Sequence, residues 1–549
     1  MLKIIPIGGL GEIGLNMMVF EYDNAMFVLD AGLMFPEDYM LGIDIVIPDM
    51  SYIRENRHRL SGVVLTHAHE DHIGALPYLL REINVPVFGT PFTIGILKHK
   101  LEEHGLLGAA KLHEISSSEI LKIGPFELSF IDVSHSLVDG VGVAVKTPVG
   151  MIIHTGDFKI NHHAVDGRRT DVNKFARFGD EGVLALLSDS TNVEKEGYTI
   201  SDQTVGENLE RIANRSEGRI IVALFASNVA RIQEMVNIAG RRGSKVVFSG
   251  RSIELTVDIA KHLGYLNVPE SMEITIDQVG QFPDREIVII TTGSQGEPMS
   301  ALARMAMDTH KHIQIKPGDT VILSSKFIPG NEKAITNIIN NLFRRGADVV
   351  YEKISDIHVS GHAFQEELKL MIGLTKPAYF IPIHGEYRHL LLHARLAKQS
   401  GIPEERILLV ENGQTIEFTE TGGRIGESIM TGRVLVDGKG IGDVGRSVLK
   451  ERRSLAEDGL VIVALVFDEE TGVVTYGPEI MSRGFVFFTE TGHLLEDAQC
   501  VILEIVEDIG PEVADRAEVI RSKLQSALRQ YFYFTIRRRP VIIPIILEL

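Results

Sequence analysis

Six consecutive residues, His67-Ala68-His69-Glu70-Asp71-His72, hold three imidazoles and two carboxylates, and they follow directly on the apolar run Val63-Val64-Leu65 and Thr66. Nitrogen and carboxylate donors without a thiolate suit zinc, with manganese as the harder alternative. A site that keeps an open position lowers the pKa of bound water towards neutrality. The chemistry read from this spacing is hydrolysis. A lone histidine on an apolar face is ordinarily a core residue. Four ligand-type side chains on one short loop after a strand are a different case, because burying them without partners is costly.

Three further donors each close a strand-like run: His135 after 128–133, Asp157 in His154-Thr155-Gly156-Asp157, and His384 after Tyr379-Phe380-Ile381-Pro382-Ile383. Two ions about 3.5–4 Å apart can stabilise both the attacking and the leaving oxygen of an in-line phosphoryl displacement. Asp30, in Leu29-Asp30-Ala31-Gly32, is expected to orient the ligand loop rather than to bind an ion. His154 is expected to hydrogen-bond locally. His162, His163, His310, His312, His389 and His393 lack ligand context and take no role.

These donors need strands that end together. Strand-like runs at 2–7, 17–21, 26–29, 62–65, 126–132, 142–147 and 151–154, with a helix over about 74–82, read as an αβ sandwich with its chemistry at the strand ends. Gly8-Gly9-Leu10-Gly11-Glu12-Ile13-Gly14 superficially suggests a dinucleotide loop, but no clear βαβ unit surrounds it. A tight turn with positive φ explains the glycines better. From about Ser201 a second βα series begins, with strands at 220–224, 245–248 and 286–291, which predicts a parallel sheet covered on both faces. Such an insertion explains why His384 lies so far downstream. Residues 422–445 read as a Gly-rich connector. The segment from about 459 holds strands, an amphipathic helix over about 511–531, and a buried strand at 541–546.

With 549 residues, two to four domains are expected. The balance of 55 basic against 74 acidic residues, −19 net, argues against whole-surface binding to nucleic acid but leaves room for a local basic channel. Arg241-Arg242, Arg344-Arg345, Arg452-Arg453 and Arg537-Arg538-Arg539 are short basic clusters, each read first as solvated surface. Cys500, the single cysteine, excludes an internal disulfide, fits a reducing cytoplasm, and is expected as a small buried residue. Neither a secretory signal nor a bilayer-spanning run of about 20 apolar residues is read, so no membrane partner is expected.

The His-x-His-x-Asp-His run resembles the signature of the metallo-β-lactamase superfamily. In that superfamily the pattern implies two zinc ions per subunit, or manganese: His67, His69 and His135 on one, Asp71, His72 and His384 on the other, with Asp157 bridging. Ser188-Asp189-Ser190-Thr191-Asn192 and His358-Val359-Ser360-Gly361-His362-Ala363 resemble motifs of the β-CASP branch, which acts on nucleic acid. A His at position 362 resembles its RNA-processing members. Leu33-Met34-Phe35-Pro36, Phe225-Ala226-Ser227-Asn228, Thr292-Gly293-Ser294-Gln295-Gly296-Glu297-Pro298, Pro329-Gly330-Asn331-Glu332 and Val436-Asp437-Gly438 resemble bacterial ribonuclease J along essentially the whole chain.

The resemblance implies an α/β protein: a metallo-β-lactamase αβ/βα sandwich with an inserted β-CASP domain and a small α+β C-terminal domain. The corresponding limits are 1–202 and 366–445 for the two parts of the sandwich, 203–365 for the insertion, 446–458 for a linker and 459–549 for the C-terminal domain. It implies 5′→3′ exonucleolysis of single-stranded RNA with preference for a 5′-monophosphate, plus endonucleolytic cleavage, in RNA maturation and decay. A homodimer or homotetramer and an RNA-degradation assembly are further implications. Ser227, Asn228 and Val229 match a segment that lines the nucleotide channel in relatives. In 358–363, backbone N–H groups, the Ser360 hydroxyl and two imidazoles can donate to phosphate, with Gly361 allowing close approach. His362, by resemblance, aids leaving-group protonation beside Asp71 and Asp157. Matching positions in relatives hold a structural calcium, here Gly42, Asp44 and Asp437. The competing readings are a β-CASP DNA nuclease, separated by removing the substrate's 2′-hydroxyl, and a non-catalytic RNA-binding scaffold, against which the intact ligand set argues. A thioesterase or lactamase has no need of the insertion.

Overall fold

The computed structural model describes residues 1–161, 169–297, 299–325, 327, 331–352, 357–468, 470–486, 493–510 and 512–549. His162, His163, Pro298, Pro329, Gly330 and Pro511, named above, lie outside them. The chain forms two compact units, Met1–Met34 with Ile47–Val434 and Phe35–Val46 with Leu435–Leu549.

In the first unit two sheets share a core. One has eight strands in the order Gly422–Ser428, Gln414–Thr419, Leu2–Gly8, Met17–Tyr22, Ala25–Leu29, Leu60–Val64, Pro86–Gly89 and Lys111–Glu114. The other has six, in the order Tyr379–Ile383, Ala185–Asp189, Gly150–His154, Val141–Thr147, Phe126–Asp132 and Ile120–Ile123. Because side chains alternate across a strand, Ile4, Phe20, Phe27 and Leu29 of the first sheet meet Phe126, Leu128, Val143 and Leu187 of the second. Phe27 stacks on Phe20 at 4.9 Å and meets Phe126 edge-on at 5.0 Å; each buried ring contributes about 2 kcal/mol of transfer free energy. The opposite residues of the six-stranded sheet, Ile131, Ala144, Ile153, Leu186 and Phe380, pack on Phe175, Met371 and Leu396 of three covering helices. Within that sheet, Ala185–Asp189 and Tyr379–Ile383 are buried on both faces and accordingly read as apolar runs.

Strands Ala185–Asp189 and Tyr379–Ile383 are parallel neighbours, Asp189 opposite Ile383. The chain between them builds a separate five-stranded parallel sheet, ordered Lys245–Ser249, Ile287–Thr291, Ile220–Ala223, Thr320–Leu323 and Asp348–Val350. The α/β sandwich with an inserted parallel-sheet domain is therefore as expected. The glycine loop after Leu2–Gly8 is a turn, with φ of +91° at Gly9 and +93° at Gly14, and it leads into the antiparallel partner Met17–Tyr22. In the second unit a three-stranded sheet, Val474–Arg483, Leu460–Phe467 and Val541–Glu548 in order, packs one face on helices Leu494–Asp508 and Arg516–Ile536.

Several expectations are refined or corrected. The helix expected over 74–82 is present as Leu76–Glu82, opened by Pro77, and a separate short helix, Glu70–Ile73, precedes it. Residues 422–445 are no plain connector: Gly422–Ser428 pairs as a hairpin with Gln414–Thr419, and Val436 and Asp437 pair with Ile441 and Gly440. Glycines at both turns hid the short strands between them. The terminal strand Val541–Glu548 is buried on one face only, through Ile542, Pro544 and Ile546. It is an edge strand whose Ile543 and Ile545 are each 45 % exposed, a place where Pro544 costs no ladder bond. Cys500 is exposed on its helix, because Ala498 and Ile502 take the core-facing positions. Among the described residues no helix is long and apolar enough to cross a membrane.

Candidate metal centre

Strand Leu60–Val64 delivers the histidine loop to one end of the sandwich, and helix Glu70–Ile73 turns Asp71 and His72 back over it. Backbone bonds from Asn16 N–H to the Asp71 carbonyl (3.1 Å) and from Ala31 N–H to the His72 carbonyl (2.7 Å) fix that turn. His135, Asp157 and His384 arrive from strands Phe126–Asp132, Gly150–His154 and Tyr379–Ile383 of the facing sheet. Asp30 and His384 take left-handed backbone, φ +61° and +53°, which costs free energy and occurs where a site requires it.

The donor atoms fall into three overlapping groups: His67, His69 and His135 with Asp157; Asp71 with His72 and His384; and Asp157 with His362 and His384. His67 Nε2 lies 2.9 Å from His69 Nδ1, His135 Nε2 lies 3.1 Å from the same atom, and Asp157 joins these three. Asp71, His72 and His384 form the second group, with His384 Nε2 3.4 Å and His72 Nε2 3.7 Å from Asp71 Oδ2. Asp157 Oδ2 stands 3.4, 3.5, 3.6 and 3.7 Å from the Nε2 atoms of His72, His384, His67 and His135. Ligands about 2.1 Å from a tetrahedral ion are about 3.4 Å apart, so these separations are edges of a coordination shell. His384 Nε2 is buried without a hydrogen-bond partner, a costly condition that a coordinated cation removes. The residues present fit a metal.

Electrostatics point the same way. Burial pushes His67 and His135 well below their ordinary value and His69 down to about 4, so these rings stay neutral, the form that ligates. Burial works against charge on His72 and His384 too, but Asp157 and Asp71 overcome it, lifting His384 to about 9 and His72 well above its usual value. Buried carboxylates at this centre require positive charge close by.

A surrounding set of polar residues holds the donors. Asp30 accepts from Thr66 N–H and Thr66 Oγ1, both at 2.8 Å, and its Oδ2 takes the His72 Nδ1–H bond at 2.8 Å. His135 Nδ1 bonds the Gly361 carbonyl at 2.8 Å; a Cβ on Gly361 would sit 2.5 Å from that ring, so only glycine fits. His154 Nδ1 accepts locally from Gly156 N–H at 3.0 Å, as expected of a strand-end residue. Four residues that the sequence reading gave no role also serve here. Asn16 Nδ2 lies 3.2 Å from His72 Nε2, Thr191 Oγ1 lies 2.8 Å from His384 Nδ1, and Asp189 Oδ2 lies 2.7 Å from His362 Nδ1. Asn192 Nδ2 donates to Ser360 Oγ at 2.5 Å and to the His362 carbonyl at 3.1 Å. Asp189, Thr191 and Asn192 were visible as one polar run after an apolar strand; Asn16 carried no such signal.

The structure brings Ser360, Gly361 and His362 to this centre. The His362 ring packs against those of His135 (4.9 Å) and His384 (5.4 Å), and Asp189 and Asp157 raise its pKa although burial opposes the charged form. Ser227 Oγ approaches His69 Nε2 at 3.5 Å. The side chains of Val229, Val359 and Ala363 are buried, which leaves only their backbones for contact, and the Asn228 side-chain Oδ1 accepts from Arg231 N–H to cap helix Val229–Arg242. His358 stacks edge-on with Phe225 at 6.5 Å, and burial pushes it down to about 3. At the expected calcium position, Arg452 Nη2 bonds Asp437 Oδ2 at 2.5 Å and Nη1 donates to the Leu41 carbonyl at 2.9 Å. A Cβ on Gly42 would lie 2.7 Å from Nη1, and Asp44 Oδ2 accepts from Gly438 N–H at 2.8 Å. A guanidinium already supplies the cation, so these residues as arranged do not fit calcium.

Comparison with known proteins agrees with this geometry. Family models match residues 10–193 (metallo-beta-lactamase superfamily), 217–342 (ribonuclease J, beta-CASP domain), 346–407 (Zn-dependent metallo-hydrolase RNA specificity domain) and 447–549 (ribonuclease J C-terminal domain). The chain is 42 % identical to ribonuclease J2 of Bacillus subtilis over 550 residues, covering 100 % of this chain and 98 % of the relative. It is 42 % identical to ribonuclease J 1 of Streptococcus pyogenes over 544 residues, covering 99 % and 97 %. A solved protein of unknown function from Enterococcus faecalis, 16 % identical, shares the fold over 76 % of this chain and 99 % of its own, with a TM-score of 0.53. With matches of this identity along its full length and domain models in this order, the chain belongs to the ribonuclease J family.

Proposed function

We propose that this ribonuclease of metallo-β-lactamase fold hydrolyses phosphodiester bonds of single-stranded RNA with two ions, zinc or manganese. His67, His69 and His135 would hold one, Asp71, His72 and His384 the other, with Asp157 available to both. The observation that carries the reading is the Asp157 carboxylate oxygen set among four imidazole nitrogens at 3.4–3.7 Å. When bound, the ions supply Lewis acidity and activate water at neutral pH. The protein's own groups position the reacting bond. Asp189 fixes the His362 imidazole through Nδ1, leaving its other nitrogen to give a proton to the departing oxygen. Ser227 and the 358–363 segment, with Asn228 and Val229 beside them, contact phosphate, Ser360 and His362 being held in place by Asn192. Calcium is no part of this proposal.

The same reading includes 5′→3′ removal of mononucleotides from 5′-monophosphate ends together with internal cleavage, in rRNA processing and mRNA decay. It places the protein in the cytoplasm as a homodimer or homotetramer, able to join an RNA-degradation assembly, with domain limits at 202, 365, 445 and 458. The test is a 5′-labelled monophosphorylated RNA and its circular form. Mononucleotide release from the linear RNA, internal products from the circle, and loss of both with chelator are expected. Ser360→Phe should depress release from the linear form much more than cutting of the circle. Equal losses on both would end the terminal-phosphate proposal, and chelator-insensitive cleavage would end the metal proposal.

A further inference from the structure

We infer that the outer face of helix Arg516–Ile536 is a second binding surface for single-stranded RNA; the inference rests on the ribonuclease reading above. Ile520, Leu524, Leu528 and Phe532 recur every fourth residue and carry the helix into the core of its unit. The opposite face, by the same periodicity, lines an open groove of about 500 Å³ with Gln525, Arg529, Gln530, Tyr533 and Phe534, which Arg539 completes from the following segment. No carboxylate lines it.

The four basic clusters of the chain differ in how their charge is used. Arg241 pairs with Glu210, Arg345 with Asp308, Arg452 with Asp437 and Arg453 with Glu457, while Arg242 and Arg344 donate to a carbonyl and an amide oxygen nearby. In the last cluster Arg538 donates to the Phe485 carbonyl, whereas Arg537 and Arg539 lie against the Tyr533 ring at 5.3 and 4.1 Å from its centroid. Among the described residues no carboxylate pairs with Arg529, Arg537 or Arg539. On a chain of −19 net charge this is a concentrated cationic patch, and Phe534 beside it is 71 % exposed.

Guanidinium groups that meet no carboxylate among the described residues, a ring held by two of them, an exposed second ring and side-chain amides are the parts of a site for an unpaired polynucleotide strand. Bases stack on the exposed Phe534 ring, arginines meet phosphates, and amides reach base edges. Association of two copies through this face is disfavoured, because a two-fold contact sets the same arginines against themselves. RNA supplies the charge that the patch lacks.

The experiment measures binding of a fluorescent 30-nucleotide single-stranded RNA by anisotropy, with the full chain in chelator so that hydrolysis is blocked, across a salt series. Arg529→Gln, Arg537→Gln and Arg539→Gln combined should weaken binding and lower the slope of log affinity against log salt by about 2, since each phosphate contact on a single strand contributes about 0.7. Phe534→Ala alone should weaken binding at least about fivefold through lost stacking. Hydrolysis of a pentanucleotide at saturation should stay unchanged, and photo-crosslinks from the long RNA should fall within residues 522–539. Unchanged affinity and slope, or crosslinks confined elsewhere, overturn the proposal. A changed sedimentation coefficient with unchanged RNA affinity also overturns it and marks a contact between copies. Should the unmodified protein neither bind nor cut RNA, the ribonuclease reading itself fails.

Discussion

Two clusters of carboxylates, one in each unit, meet the same electrostatic demand in opposite ways. At the strand ends of the sandwich, Asp71 and Asp157 are surrounded by imidazoles whose free nitrogens point at one another, and His384 Nε2 is buried without a partner. In the second unit Asp437 is met by the Arg452 guanidinium, which also reaches the Leu41 carbonyl. A guanidinium cannot lose its proton and is complete as a cation. Burial keeps His67, His69 and His135 neutral with lone pairs to offer, whereas His72 and His384 hold protons that a bound ion would displace. The first arrangement can exchange those protons for an ion; the second is closed by a permanent cation.

The strongest way to break this contrast is to remove a ligand from the first cluster. Asp71→Ala or His72→Ala should lower hydrolysis at least about a thousandfold, since metal assistance is worth several kcal/mol in the transition state, and bound zinc or manganese should fall in parallel while the circular dichroism spectrum is kept. Full activity with undiminished metal would sink the two-ion assignment. Asp30→Asn sharpens it. The carboxylate holds the His72 ring without joining the donor set, so an effect of about 10–100-fold on metal affinity or rate is expected. An effect as large as that of Asp71→Ala would place Asp30 among the ligands.

Smaller effects test the second cluster. Arg452→Ala should cost about 1 kcal/mol, the scale of a half-exposed pair plus one carbonyl bond, read as a lower melting temperature. Calcium should leave the unmodified protein unchanged. A rise in its melting temperature with calcium would show that oxygen ligands, not the guanidinium, define this position.

A third cluster lies between these cases. Lys159 and Arg231 share Asp202, at 2.9 and 3.5 Å, and Arg231 also meets Glu234 at 2.6 Å. Burial holds Glu234 up at about 6, against an ordinary 4.5, despite the guanidinium. The folded state thus binds this proton more tightly than the unfolded chain. The resulting stability is full below pH 4.5, is lost as pH rises through 6, and amounts to about 2 kcal/mol. The stability advantage of the native protein over Glu234→Gln should shrink by that amount between pH 4.5 and 6.5 in urea unfolding. A difference independent of pH would show that Glu234 does not titrate there.

Local pattern carried much of this molecule. Apolar runs at 379–383 and 220–223 stand as strands because each is buried on both faces, and the loop 8–14 turns because its glycines accept positive φ. The donors from His67 to His384 could be named because each ends such a strand, and strand ends in a sandwich are where polar groups collect. What no local pattern carries is a partner defined only by contact. Asn16 reaches His72 across 56 residues and Asp189 reaches His362 across 173, each by a single hydrogen bond that leaves no periodicity behind. Arg452 lies in a run read as solvated surface, yet its guanidinium closes on Asp437. Residue type, spacing and strand order determined which groups meet at the strand ends. Only the packed structure decided which carboxylate meets exchangeable imidazole protons and which a fixed guanidinium, because charge balance is settled by neighbours in space rather than along the chain.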